Sequence, residues 1–152
     1  MSRRRLTRDE QELSRDVLLQ SAIAAPALIH RAVDETELIP FRNQLLFEGV
    51  RPVVAYGALN STARGITLGR EVYLRQDVFD SAGAIPAFLL VHEVAHVVQF
   101  LRDGTPYFLS RYLGEYFRGL LRFQSGHTAY LAISYEVEAR MVETFLPAEL
   151  QR

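Results

Sequence analysis

From Pro86 to Gly104 the chain reads PAFLLVHEVAHVVQFLRDG, apolar on nearly every face a helix can present. Phe88, Leu89, Leu90, Val91, Val94, Ala95, Val97, Val98, Phe100 and Leu101 leave little room for a wet side, so such a helix belongs in the interior. Pro86 suits the first turn, and Gly104 with Pro106 beyond it reads as a stop. The same segment nevertheless contains His92, Glu93, His96 and Gln99. At about 100° per residue, His96 falls about 40° from His92 and Gln99 about 20° from it on the other side. A narrow polar stripe therefore runs along a helix that otherwise demands burial, with Glu93 at its edge.

Burying such groups requires compensation, because an unpaired carboxylate in an apolar interior is very costly. A divalent cation supplies it. Two imidazoles four residues apart can direct ring nitrogens at one point, as zinc requires. Glu93, beside the first of them but turned away, is placed to take a proton from water that the metal activates. The pattern is short, and a satisfied pair of core histidines is the competing reading; the apolar flanks and the stripe favour metal. The chain has no cysteine, so the remaining ligands must come from His, Asp, Glu and water. A catalytic zinc usually takes three protein ligands. The segment HTAYLAISYEVEARMVE offers Glu136, with Glu138, Glu143 and His127 as alternatives. Glu136 is preferred; it shares a helix face with Glu143, whereas Glu138 points elsewhere. The competing reading for Glu136 is a surface carboxylate paired with Arg140 one turn on.

Elsewhere, Glu10 to about His30 has helical apolar spacing, broken or kinked at Pro26. Residues 31–49 are ambiguous, with Pro40 as a boundary. Arg51 to Tyr56 and Gly65 to Arg75 are rich in β-branched and aromatic residues and read as two or three short strands. After the apolar helix, a second helix is expected from Phe108 to about Phe123. A third follows from about Thr128 to Phe145, ended by Pro147. The order implies an α+β fold: a small antiparallel or mixed sheet, a buried active-site helix and C-terminal helices. The 152 residues suit a single domain, 1–152, with residues 1–10 as a disordered basic arm.

The run ARGITLGREVYLRQDVF followed by LLVHEVAHVVQF resembles the metallopeptidase-like core domain found with extracellular contractile injection systems (the eCIS core domain). Gly69, Val72, Tyr73, Leu74 and His92 through Gln99 occupy its typical phrases, over roughly Val50 to Leu101. Downstream, AYLAISYEVEAR resembles the phrase that carries the third ligand in related HExxH peptidases. The resemblance implies a zincin-like fold and a gluzincin-type zinc site of His92, His96 and Glu136. Those peptidases usually carry Asp four residues after the third ligand; here that place is Arg140, and Glu143 is the available substitute. Zincins commonly stabilise the oxyanion with a His or Tyr, which points to His127 and Tyr130, with Tyr135 as a further candidate. Helix-start and core-aromatic roles compete for these three. The strand from Gly65 to Leu74 could pair with an extended peptide, or serve as a structural hairpin.

These features favour a zinc-dependent metallopeptidase acting on a peptide or protein, with a zinc-binding but catalytically silent interaction module as the alternative. All 17 basic residues are Arg, and the net charge is −1. That balance, without a basic stripe carrying interleaved aromatics, argues against a nucleic-acid partner. No phosphate loop or serine elbow is present. No apolar run is long enough for a membrane span, and the N-terminus lacks a secretory signal. A cytoplasmic location, or export without a cleaved signal, is the expectation.

Overall fold

The computed structural model describes residues 2–41 and 64–152. The strand expected at Arg51 to Tyr56 lies outside the described residues. The chain opens with strand β1 (Arg4–Arg5), helix α1 (Arg8–Ser21), helix α2 (Pro26–Glu35) and strand β2 (Glu37–Phe41). Strands β3 (Gly65–Leu68) and β4 (Glu71–Arg75) follow, then helices α3 (Ala87–Asp103), α4 (Thr105–Phe123), α5 (Gly126–Ala132) and α6 (Ser134–Glu143). The architecture is α+β, as the sequence implies. The sheet is mixed and four-stranded, in the order β1-β2-β4-β3, with β2 parallel to β4 and both outer pairs antiparallel.

Residues 2–10, read from sequence as a free basic arm, are docked. Arg4 and Arg5 pair with Leu38 and Glu37 at the sheet edge. Arg4 bonds Glu10 at 2.6 Å, and Arg3 bonds Glu71 at 2.7 Å. Thr7 and Glu10 form a reciprocal capping box that starts α1. Several prolines act differently from expectation. Pro26 opens α2 at its first turn instead of kinking one long helix. Pro40 lies inside β2, not at a boundary. β1 pairs only with Glu37 and Leu38, so Pro40 sits beyond the reach of that neighbour, where a missing N–H is tolerated. Pro106 lies in the first turn of α4, which begins at Thr105, ahead of the expected Phe108.

Gly69, at φ +64°, makes the tight connection between β3 and β4. Gly104, at φ +83°, ends α3 and starts α4, so the two helices meet at a sharp bend. Helix α3 packs against β3 and β4 and against α1, α2, α4 and α6. Twelve of its residues, Leu89 through Phe100, are buried without interruption, which is what its all-round apolar sequence requires. An aliphatic cluster surrounds it on the α1, α2 and sheet side. An aromatic cluster lies towards α4, where Phe108 stacks on Phe100 at 3.9 Å and on Tyr135 at 4.2 Å between ring centroids.

The third expected helix is two. Ile133 has extended backbone (φ −62°, ψ 128°) and separates α5 from α6. The cause is long-range: Glu115 of α4 accepts from the Ser134 N–H at 2.7 Å and from its hydroxyl at 2.9 Å. A carboxylate there satisfies the first-turn donors of a new helix and complements its dipole. With Ile133 fully buried, the restart is locked in place and brings Glu136 into the first turn of α6.

Candidate metal centre

His92, His96 and Glu136 converge, their ligand-type atoms lying within 4.8 Å of one another. The Nε2 atoms of His92 and His96 are 3.2 Å apart. Glu136 places Oε2 at 3.0 Å from His92 Nε2 and Oε1 at 3.2 Å from His96 Nε2. All three residues are at most 5 % exposed. Ligands of tetrahedral zinc, about 2.0–2.1 Å from the ion, stand about 3.3 Å from one another, close to these spacings.

The hydrogen bonds behind the imidazoles fix which nitrogen carries the hydrogen. Gln99 Nε2 donates to the Tyr135 carbonyl at 3.0 Å and to Glu138 at 2.9 Å. Its Oε1 therefore faces His96 Nδ1, 2.7 Å away, and that nitrogen must be the donor. Likewise His92 Nδ1 donates to Glu143 Oε2 at 3.0 Å. In their neutral forms both rings thus aim lone pairs from Nε2 at each other and at a carboxylate. Such a set is repulsive unless protons or a cation lie within it. Carboxylate and amide acceptors behind ligating histidines also orient the rings and raise their basicity.

Proton affinities express the same imbalance. Burial disfavours the charged form of His92, but Glu136, Glu143 and Glu93 outweigh it and push the pKa up to about 10. Burial likewise works against charging of His96, and Glu136 overcomes it, so that pKa also rises. Burial would raise Glu136, yet His96 and His92 hold it well below the usual carboxylate range. A divalent ion could take the place of the protons that this acidic enclosure calls for. The residues present fit a metal with a nitrogen, nitrogen, oxygen donor set.

Glu136 is further held by two hydroxyls: Tyr112 donates to Oε1 at 2.8 Å, and Tyr130 donates to Oε2 at 3.0 Å. Its predicted competitor, a surface pair with Arg140, does not occur; Arg140 bonds the Leu131 carbonyl. Glu138 binds Gln99 and Arg102 instead of the centre. Glu143 reaches His92 from the next turns of the face it shares with Glu136, taking the outer position suggested for it.

Glu93 is 5 % exposed and accepts from the Thr67 hydroxyl at 2.6 Å. Gly65 makes room for it: a Cβ there would lie 2.7 Å from Leu74 Cδ2 and 3.0 Å from Glu93 Oε1. An open cavity of about 190 Å³ lies over the centre, lined by His92 and Glu93 and by His127 and Tyr130. Burial, with the charges of Glu136 and Glu93, pushes the Tyr130 hydroxyl far up, so it stays protonated. Tyr135, by contrast, bonds Asp103 at 2.9 Å and stacks in the aromatic cluster, away from the cavity lining. Thr67, Gly65 and Tyr112 were not singled out from sequence. Only Gly65, a glycine at a strand start, carried any local signal.

The eCIS core domain description matches residues 51–104, which hold β3, β4 and α3 with His92, Glu93 and His96. Glu136 and Glu143 lie beyond that match. No curated protein and no solved structure matches the chain.

Proposed function

We propose that the chain is a zinc-dependent peptidase domain of zincin-like architecture, hydrolysing peptide bonds with Glu93 as general base. The observation that carries this reading is the convergence of His92, His96 and Glu136 beneath a cavity that Glu93 also lines. Zinc bound by those three side chains would polarise the scissile carbonyl and acidify water. Glu93, held by Thr67 and neighbouring Gly65, takes the proton of the attacking water and later passes it to the leaving amine. The His127 ring on the cavity wall can donate towards the oxyanion, and the Tyr130 hydroxyl can do so once it turns away from Glu136 Oε2. β3 is the last strand of the described sheet, and its first residue lines the cavity. An extended substrate can pair with that edge through backbone hydrogen bonds, which suits a peptide better than a small molecule.

The test combines metal content and turnover. Elemental mass spectrometry of the purified protein should find about one zinc per chain, lost in His96→Ala and in Glu136→Ala. Glu93→Gln should keep the zinc and lose cleavage of a peptide library by at least about 100-fold. Cleavage retained in Glu93→Gln would overturn the mechanism. Zinc with no cleavage by the native chain would leave a metal-bound interaction module.

A further inference from the structure

Among the described residues, the cavity over the centre is lined by three arginines, Arg64, Arg140 and Arg152, together with His127, and by a single carboxylate, Glu93. Elsewhere most described arginines are tied to carboxylates, as Arg3, Arg4, Arg15, Arg75 and Arg111 are. At the cavity, neither Arg64 nor Arg140 forms an ion pair among the described residues. Among the described residues Arg140 bonds the Leu131 carbonyl through Nη2, and its other guanidinium donors can serve a ligand. Arg64 lies over the Phe88 ring at 5.5 Å, and Arg152 lies over the same ring at 4.9 Å. Arg152 is also anchored by Glu143 at 2.7 Å, which steadies the group beside the cavity. Phe88 thus holds two cations in place through its ring and offers an apolar floor between them.

We infer that this cavity selects a carboxylate close to the scissile bond, so that the peptides accepted carry Asp, Glu or a free C-terminus beside the cleavage point. Guanidinium donors bind carboxylates through paired, charge-assisted hydrogen bonds, strongest where water is partly excluded. The volume of about 190 Å³ is below the range of about 300 Å³ and upward for drug-sized ligands, so one side chain or chain end fits, not a folded segment. The unexpected Arg140, where related peptidases usually carry Asp, thereby acquires a role: it turns one wall of the site cationic. That the bound carboxylate belongs to a cleaved peptide rests on the peptidase reading, whereas its recognition is a binding property.

The experiment separates the two. Zinc-loaded Glu93→Gln protein is titrated with short fluorescent peptides carrying Asp or Asn at one position, each with a free or amidated C-terminus. Binding is followed by anisotropy at two salt concentrations. Asp over Asn, or free over amidated, should bind at least about 10-fold more tightly, and the pairing that shows the difference identifies which carboxylate is read. Adding Arg140→Gln or Arg64→Gln should cut that preference to within about 2-fold while zinc content and melting temperature stay unchanged. No preference in the parent would overturn the inference. So would a preference that survives both arginine changes, because the carboxylate would then be held by the metal. Acidic preference in binding without cleavage by the native chain would sink the peptidase reading and leave the carboxylate site standing.

Discussion

At the scale of single residues, the centre depends on groups that never touch a metal. Glu143 and Gln99 hold the outer ring nitrogens and so aim Nε2 of both histidines inwards. Removing such a partner typically costs 10–100-fold in metal affinity. Glu143→Ala should therefore weaken zinc binding by about that factor, measured by competition with a chromogenic chelator. An unchanged affinity would mean that Glu136 alone orients His92. Gly65→Ala probes the other side. Its methyl would press on Glu93 and Leu74 in a packed wall, so it should displace the carboxylate yet spare the zinc ligands. Zinc stoichiometry near the native value with turnover reduced about 10-fold or more is the expected outcome. Glu93, His92 and His96 were legible in sequence because one short stretch of helix carries all three. Thr67 and Gly65 were not, since nothing local marks a strand residue as the neighbour of a distant helix.

At the scale of elements, the break between α5 and α6 decides where the third ligand stands. Helical periodicity ran through Ile133 without interruption, so the sequence suggested one helix. The carboxylate that restarts the chain belongs to Glu115, on a different helix. Glu115→Ala should destabilise the protein by about 1 kcal/mol, the usual worth of a helix cap. Burial would raise the Glu115 pKa, but the Ser134 N–H and Arg111 outweigh it and lower it below its ordinary 4.5. A depressed folded-state pKa gives stability that is present above the unfolded value and lost as pH falls through the folded one. The difference between native and variant proteins in urea unfolding should thus be full near neutral pH and shrink as pH falls below the ordinary value of 4.5. A gap that persists in acid would show that Glu115 acts by packing and not through its charge. Helices α3 and α4 were readable because Gly104 and Pro106 are local signals. Their one misreading, the start of α4, arose from taking Pro106 as part of a stop when it fills a first turn.

For the whole molecule, the acidic enclosure around the histidines would couple metal binding to fold stability. Without a cation, protons supply the positive charge, and His92 has its pKa pushed up to about 10 by Glu136 and Glu143 against the opposing effect of burial. A raised folded-state pKa contributes stability that is fully present below the unfolded value of 6.5 and is lost as pH rises towards about 10. The melting temperature of chelator-stripped protein should accordingly fall across that interval. Zinc-loaded protein should hold or gain stability over the same range, because its ligands must be deprotonated to bind. At a free zinc concentration about 100 times the dissociation constant, linkage adds about 2.7 kcal/mol. Parallel pH profiles with and without zinc, by scanning calorimetry, would refute the coupling. No described helix is long and apolar enough to cross a membrane.

What the sequence determined by itself follows from short-range periodicity and turn chemistry: an α+β chain and a buried helix with a narrow stripe of His92, His96 and Gln99, while Glu136 was preferred as third ligand with the help of a family resemblance. Hydrophobic spacing and turn chemistry act over a few residues, so they can be read without the fold. Tertiary structure decided the rest. It docked the basic N-terminal segment on acidic partners, broke the last helix at Ile133, tied Glu138 to Gln99 and Arg102 and set Glu143 behind His92. Each of those outcomes depends on charges and hydrogen-bonding groups that meet only after distant elements pack, and a buried ionic group takes its partner from whatever the packing brings within reach.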